Sequence, residues 1–407
     1  MKQLLIGNVL TPYRFIENGA VLVENDTIAG VGTWKDLKGV SVDRVLDFSN
    51  SYIAPGFIDI HVHGGGGSDA MDASVAALLN VARTHARGGT TSLYPTTLTA
   101  PFENILDSLR TIRKVMELNP SEESGAKILG AHVEGPYFSD VQAGAQNAQY
   151  LKNPSLDEVM KLLETGTVKR MSMAPELPGS LEVAKLLSSL GVLVSIGHSN
   201  ATYQQVVLAI EQGFSHVTHL FSGMSTVRRI NSYRIAGVLE AALLLDELTT
   251  EIIADGHHLP PSLMKLVVKV KASDRVCGVT DAISAAGLEP GKYNLGGLDV
   301  IVEREVPPDY EICPEGYVAK LSDRQAFAGS VVLMIDVVRN LVRYVEVPIT
   351  EAVKMVSAVP AKVMNIYNQR GSLSPGKLAD IVVFDSKYTV LLTMVEGKTV
   401  YLNQGSS

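Results

Sequence analysis

The chain has 407 residues, 46% of them hydrophobic and 19% charged, with a net charge of −8. That length suits an α/β barrel with a smaller appendage better than one ordinary domain, and the mild, dispersed negative charge does not suggest a nucleic-acid binder. No apolar run reaches membrane-spanning length, MKQLLIGNVLTPYR carries too short an apolar run for a signal peptide, and Cys277 and Cys313 make neither a disulfide framework nor a zinc-finger spacing, so a cytoplasmic globular protein is expected.

Residues 2–50 predict short strands, because LLIGNVLTP, AVLVENDTIAGVG and RVLDFSN are β-branched or alternating and broken by Asn-Asp and Gly. FIDIHVH follows and runs into four glycines. TTSLYPTTL leads to a helix near 101–118, then comes KILGAHVEGPY. RMSMAPE leads to LEVAKLLSSLG, LVSIGHS to TYQQVVLAIEQG, and HVTHLF to a helix near 236–246. EIIADG, the helix PSLMKLVVKVK and RVCGVTDA complete the series. Strand–helix repeats of this pitch indicate βαβ units and a parallel sheet. About eight of them predict an α/β fold of the (β/α)8 TIM-like barrel type over 55–358. YNLGGLDVIVE, GYVAKLS and QAFAGS break the rhythm over 288–327, as a β-hairpin insertion before a last helix, VVLMIDVVRNLVRYV. GSLSPGKLADIVVFD, YTVLLTMVEG and KTVYLN are again strands. The segments 1–54 and 359–407 are therefore expected to pair as a small β-sandwich domain.

The polar residues have a shared position. His61 and His63 close FIDIHVH, Glu134 closes ILGAHVE, His198 closes VLVSIGH, and His219 closes HVTHL. Asp255, His257 and His258 close EIIADGHH, and Asp281 closes RVCGVTD. On parallel barrel strands these side chains converge at the C-terminal rim, where barrel active sites are built. Period two points His61 and His63 the same way, toward one cation or a pair, with Val62 in the barrel wall. The glycines let the loop turn sharply and approach a ligand, and they lack the lysine and spacing of a P-loop. His-X-His alone is a weak signal. With Glu134, His198, His219 and Asp281 it becomes a donor set suited to a borderline divalent metal such as Zn²⁺ or Fe²⁺. Locally, Asp281 also suits a helix N-cap before AISAAG. His132 and His216 fit residues packed and hydrogen-bonded in or behind the barrel, His85 a helix-face residue, and Cys277 a small core residue.

PGFIDIHVHGGGG, HVEGPYFS, GHSNATY, THLF, ADGHHL, VTDA, FAGS and GSLSPGKLADIVVFD together resemble the amidohydrolase superfamily, and more narrowly its N-acetylglucosamine-6-phosphate deacetylases. The resemblance runs nearly end to end; HVEGP and THLF mark the narrower group. No lysine stands where many relatives carry a carboxylated bridging lysine, and the resemblance makes Glu134 a ligand instead. It implies that Glu134, His198 and His219 hold the principal metal, and that His61 and His63 complete a second site, so one or two metals per subunit. Asp281 matches the catalytic aspartate, which takes a proton from water activated by the metal and returns it to the departing amine. For substrate, the resemblance implies contacts from Ala145 and Gln146, from Ser222 and Gly223 (where the family has Asn-Ala), and from Arg234, His258, Phe327, Ala328 and Gly329. Arg234 and His258 would meet the phosphate or sugar; Arg228 and Arg229 fit a solvated loop. The implied reaction releases acetate from N-acetylglucosamine 6-phosphate. The altered Ser222–Arg234 segment leaves the galactosamine epimer and an unphosphorylated sugar open, and a catalytically silent relative is a third reading. The resemblance also implies a homodimer, while the charge and the short apolar runs lead to the expectation of no nucleic-acid or membrane partner.

Overall fold

The computed structural model describes residues 1–118, 121, 124–312 and 314–403, so Cys313 lies outside it. Strands Phe57–Val62 and Thr90–Pro95 pair in parallel and are buried along their whole length. Ala131–Glu134, Val168–Met173, Leu193–Ile196, Phe214–Val217, Thr249–Ile253 and Val276–Val279 form a six-stranded parallel sheet in that order. Burial on both faces explains their apolar runs. The two sheets meet at both seams through single parallel bridges, Thr96 to His132 and Val62 to Ala282. All eight strands point the same way, so their C-terminal ends share one rim.

Helices follow these strands on the outside. Val75–Arg87 starts where the Ser74 hydroxyl accepts from the Ala77 amide, and Tyr203–Glu211 starts in a reciprocal capping box between Thr202 and Gln205. Their inner faces, with Leu78, Val81 and Val206, pack on outward strand residues such as Val62, Leu93 and Val133 in one large cluster. Each such fully buried side chain contributes about 1.5–3 kcal/mol. Strand alternation turns Val62 into this layer and leaves His61 and His63 on the opposite face of the strand.

Strands from the two chain ends share one sheet. A seven-stranded sheet runs Lys398–Leu402, Val390–Val395, Ile381–Phe384, Arg44–Pro55, Lys2–Leu10, Phe15–Glu24, Thr27–Thr33. Its two halves meet where Ile381–Phe384 lies antiparallel to Arg44–Pro55.

Three features depart from expectation. The insertion is a three-stranded antiparallel sheet, Gly291–Leu295, Leu298–Glu303 and Val318–Leu321, rather than a hairpin, and QAFAGS is not a strand within it. The helix Met334–Asn340 is not the last, because Ile349–Met355 and Ala358–Val363 follow. The latter crosses the expected boundary at 358 and packs Val359 and Ala361 against Ile58, Ile60 and Val279. A short hairpin, Arg228–Ile230 with Tyr233–Ile235, precedes the helix Val238–Leu244. Its turn residues Asn231 and Ser232 are left-handed, at φ 47° and 71°.

Candidate active site

Glu134 is the hub of the rim. Its Oε1 lies 3.1 Å from His219 Nε2, 3.5 Å from His61 Nε2 and 3.6 Å from His198 Nε2. Its Oε2 lies 3.1 Å from His63 Nε2 and accepts from Gln146 Nε2 at 3.1 Å. Asp281 Oδ1 stands 3.4 Å from His61 Nε2 and 3.2 Å from His63 Nε2. Two donor triads result, His61–His63–Glu134 and Glu134–His198–His219, all buried and sharing one carboxylate.

His198, His219 and Asp281 sit just past their strands with positive φ of 46°, 24° and 48°. Non-glycine residues in that region cost of order 1–3 kcal/mol each, and such strain gathers at functional sites. Two glycines make room for it. A Cβ on Gly223 (φ +62° is found at Gly329; Gly223 itself is at +56°) would lie 2.7 Å from His198 Nδ1. One on Gly329 would lie 2.6 Å from the Asp281 carbonyl oxygen, which accepts from the Ser330 amide at 2.8 Å.

The back nitrogens of three of these histidines are committed elsewhere, whereas His219 Nδ1 is buried without a hydrogen-bond partner. His61 Nδ1 donates to Glu251 Oε2 at 3.1 Å, His63 Nδ1 to the Thr96 carbonyl at 3.2 Å, and His198 Nδ1 to the Gln142 carbonyl at 2.8 Å. A proton held on Nδ1 leaves the Nε2 lone pair free for a metal.

The residues fit a divalent metal on three counts. Two ligands about 2.0–2.1 Å from one tetrahedral ion lie about 3.4 Å apart, which the observed spacings around Glu134 match. His61 Nε2 is buried and makes no hydrogen bond. The site also calls for positive charge. Burial raises the Glu134 carboxyl, yet His61, His198 and His219 outweigh it and hold Glu134 well below the usual carboxylate range. Burial likewise raises Asp281, but His61 and His63 bring it down. Burial lowers His63, and Asp281 and Glu134 overcome that and push it up to about 9. A cation among these carboxylates would supply the charge that a histidine proton otherwise must.

Above the triads opens a cavity of about 300 Å³, with His63, Glu134, His198, His219 and Asp281 in its lining. Of the expected substrate contacts, Ala145, Gln146, Ser222, Gly223, His258, Phe327 and Gly329 line it. Ala328 does not; it is fully buried in a cluster with Ile283 and Leu295. Arg234 does not either. It is exposed on the 228–235 hairpin, outside the cavity lining, so within one chain the structure does not bring it to the site. Arg228 bonds Asn200 at 3.0 Å. Leu98, Phe221 and Leu295 line the cavity without having been expected; nothing in their local sequence distinguishes them from core residues.

The other histidines have structural partners. Asp255 accepts the His257 and His258 amides at 2.8 and 2.9 Å and His258 Nδ1 at 2.8 Å, which aims His258 into the cavity against Phe327. His257 is buried beside it and does not line the cavity. His132 meets Ser172 Oγ at 2.7 Å, and His216 meets Thr249 Oγ1 at 2.7 Å. His85, on the inner face of its helix, holds the Gly64 carbonyl at 2.9 Å. Sequence reasoning passed over Asp59, Arg170 and Glu251, all fully buried. The available signal was an ionisable residue in the middle of an otherwise apolar strand. Burial pushes Asp59 up to about 7, against hydrogen bonds from Thr280 and His61. Burial also raises Glu251, but Arg170 and His61 hold it well below the usual range.

Parallel strands with a His/carboxylate metal centre at their C-terminal rim define a class of metal-dependent α/β hydrolases. Within that class the chain belongs to the amidohydrolase family, whose model matches residues 52–400. It is 33% identical to the N-acetylglucosamine-6-phosphate deacetylase of Bacillus subtilis (strain 168), over 99% of this chain and 98% of that protein. It is also 33% identical to the N-acetylgalactosamine-6-phosphate deacetylase of Escherichia coli O157:H7, over 85% of this chain and 87% of that one. The crystal structure of N-acetylglucosamine-6-phosphate deacetylase from Pasteurella multocida superimposes with a TM-score of 0.88 at 30% identity, covering 99% of this chain and 100% of that one.

Proposed function

We propose that this chain deacetylates N-acetylglucosamine 6-phosphate, releasing glucosamine 6-phosphate and acetate, as a soluble cytoplasmic homodimer carrying one or two Zn²⁺ or Fe²⁺ ions per subunit. The observation that carries this reading is Asp281, whose carboxylate faces the cavity within 3.4 Å of ligand nitrogens of both His61 and His63. Full-length identity to deacetylases of amino-sugar phosphates supports the substrate class. The fold we propose is a (β/α)8 barrel closed by the two seam bridges, with 1–54 and 359–407 forming the small β domain.

Glu134, His198 and His219 would hold one ion, and His61 and His63 with Glu134 the other. The ion supplies Lewis acidity toward the acetamide carbonyl and lowers the pKa of water. Asp281 accepts the proton of the attacking water on its carboxylate and hands it to the departing amine nitrogen, which is otherwise a poor leaving group. Gln146, its Oε1 accepting from the Thr99 amide at 2.9 Å, keeps Glu134 in place. His258, aimed by Asp255, offers its free nitrogen to the sugar. Arg234 reaches phosphate from the partner subunit: its hairpin is exposed, with Tyr233 76% and Ile230 46% accessible, an apolar surface suited to a dimer contact. Its planar fork gives paired charge-assisted bonds to phosphate.

The equal identity to the galactosamine enzyme favours testing the epimer as a second reading. The test is acetate release by the metal-loaded protein from N-acetylglucosamine 6-phosphate, its galactosamine epimer and N-acetylglucosamine. Preference for the first, lost in Asp281→Asn, is expected. Preference for the epimer moves the substrate and keeps the chemistry, and release from none overturns both.

A further inference from the structure

Beneath the metal triads lies a buried pair that the chemistry above does not use. Glu251, in the strand Thr249–Ile253, and Arg170, in Val168–Met173, are both 0% exposed and bonded to each other through Arg170 Nη1 and Glu251 Oε1. The other carboxylate oxygen, Glu251 Oε2, accepts from His61 Nδ1 at 3.1 Å and from the His219 backbone amide at 3.1 Å. One oxygen atom thus touches a member of each donor triad. Arg170 makes the matching contacts one residue earlier in the chain: Nη1 donates to the Ile60 carbonyl and Nη2 to Thr218 Oγ1, each at 3.0 Å. Its Nε donates to Ser195 Oγ at 3.0 Å, which ties in the strand leading to His198.

We infer that Glu251 and Arg170 act as one positioning pair that sets the orientation of His61 and the spacing between the two metal triads. His61 and His219 come from strands that are not neighbours, since the order around the ring places Thr249–Ile253 and Val276–Val279 between Phe214–Val217 and the seam with Phe57–Val62. Direct strand pairing therefore does not fix their separation, whereas a shared acceptor does. A carboxylate on Nδ1 also keeps that proton in place and strengthens Nε2 as a donor to the ion. The arginine is needed as a fork: its three nitrogens serve Glu251, the Ile60 carbonyl, Ser195 and Thr218, which a single ammonium cannot span.

This inference rests on the metal-centre reading above, and its test separates the two. The metal-free full-length protein is titrated with Co²⁺, following the visible absorption of the bound ion and the binding heat, for the native chain, Glu251→Gln and Arg170→Lys. Circular dichroism and melting of the metal-free forms check folding. The native chain is expected to bind Co²⁺ tightly, and both variants to bind about 10–100-fold more weakly with an altered spectrum. Native affinity and spectrum in folded variants overturn the positioning role. Failure of the native chain to bind Co²⁺ overturns the metal reading instead. Should both variants fail to fold, Thr218→Val, which removes one Arg170 contact and leaves the ion pair, decides: a several-fold loss of affinity supports the inference and native affinity overturns it.

Discussion

Asp281 combines a left-handed backbone, a buried carboxylate and a place in the cavity lining. Local sequence equally suited it to a helix N-cap; no helix begins there, and its amide donates instead to the His61 carbonyl at 2.9 Å. Asp281→Asn keeps the shape and removes the proton acceptor, so kcat should fall by about 10²–10⁴. The check is steady-state acetate release beside unchanged Co²⁺ binding; a fall of less than tenfold would remove Asp281 from the chemistry. Gly223 is the second residue with a specific consequence. Gly223→Ala puts a Cβ against His198 at positive φ and should cost about 1 kcal/mol or more in urea unfolding, with weaker metal binding. Equal stability and affinity would mean that the loop gives way freely. The cluster of His61, His63, Glu134, His198 and His219 was legible residue by residue, because each stands at the polar end of an apolar run. Arg170 and Glu251 were not, because a charge inside a strand looks like an exposed position until the strand is known to be buried on both faces.

At the scale of elements, parallel strands and outer helices were readable from periodicity, and the 228–235 hairpin was not. RRI and YRI are too short and too charged to carry an alternating apolar signal, and only their cross-strand pairing makes them strands. The hairpin displays Arg234 away from its own cavity, so under the proposed dimer it would serve the partner's site. Arg234→Ala should raise KM for the phosphorylated sugar at least tenfold with kcat little changed, and leave the unphosphorylated sugar unaffected. An equal effect on both sugars would show that the hairpin shapes the site without reading phosphate. The dimer itself is checked by light scattering, where a fully active monomer would exclude a partner's Arg234. The insertion supplies Leu295 and leads into Phe327 at the cavity mouth, so an element that interrupts the barrel rhythm helps form the substrate pocket.

For the whole molecule, two buried histidines tie stability to pH. Burial pushes His85 and His216 down to about 4, only partly opposed by the Gly64 carbonyl and by Glu251. Both remain neutral in the fold while the unfolded chain protonates near 6.5, so their contribution is complete above that value and is lost as pH falls toward 4. For His85 the loss between pH 7.5 and 5 should be about 2 kcal/mol. Urea unfolding at both values should show His85→Gln losing that much less than the native chain; parallel losses would refute the assignment. The sequence by itself determined the parallel α/β repeat, the strands of both chain ends and the place of the polar residues at strand ends, because apolar period and strand-end polarity are local properties. The tertiary structure alone decided that one carboxylate joins both triads, that Arg234 stands outside its own cavity, and that a buried Arg–Glu pair lies beneath the site. Those depend on which strand ends meet in space, and residues far apart in sequence acquire a separation only when the strands pack.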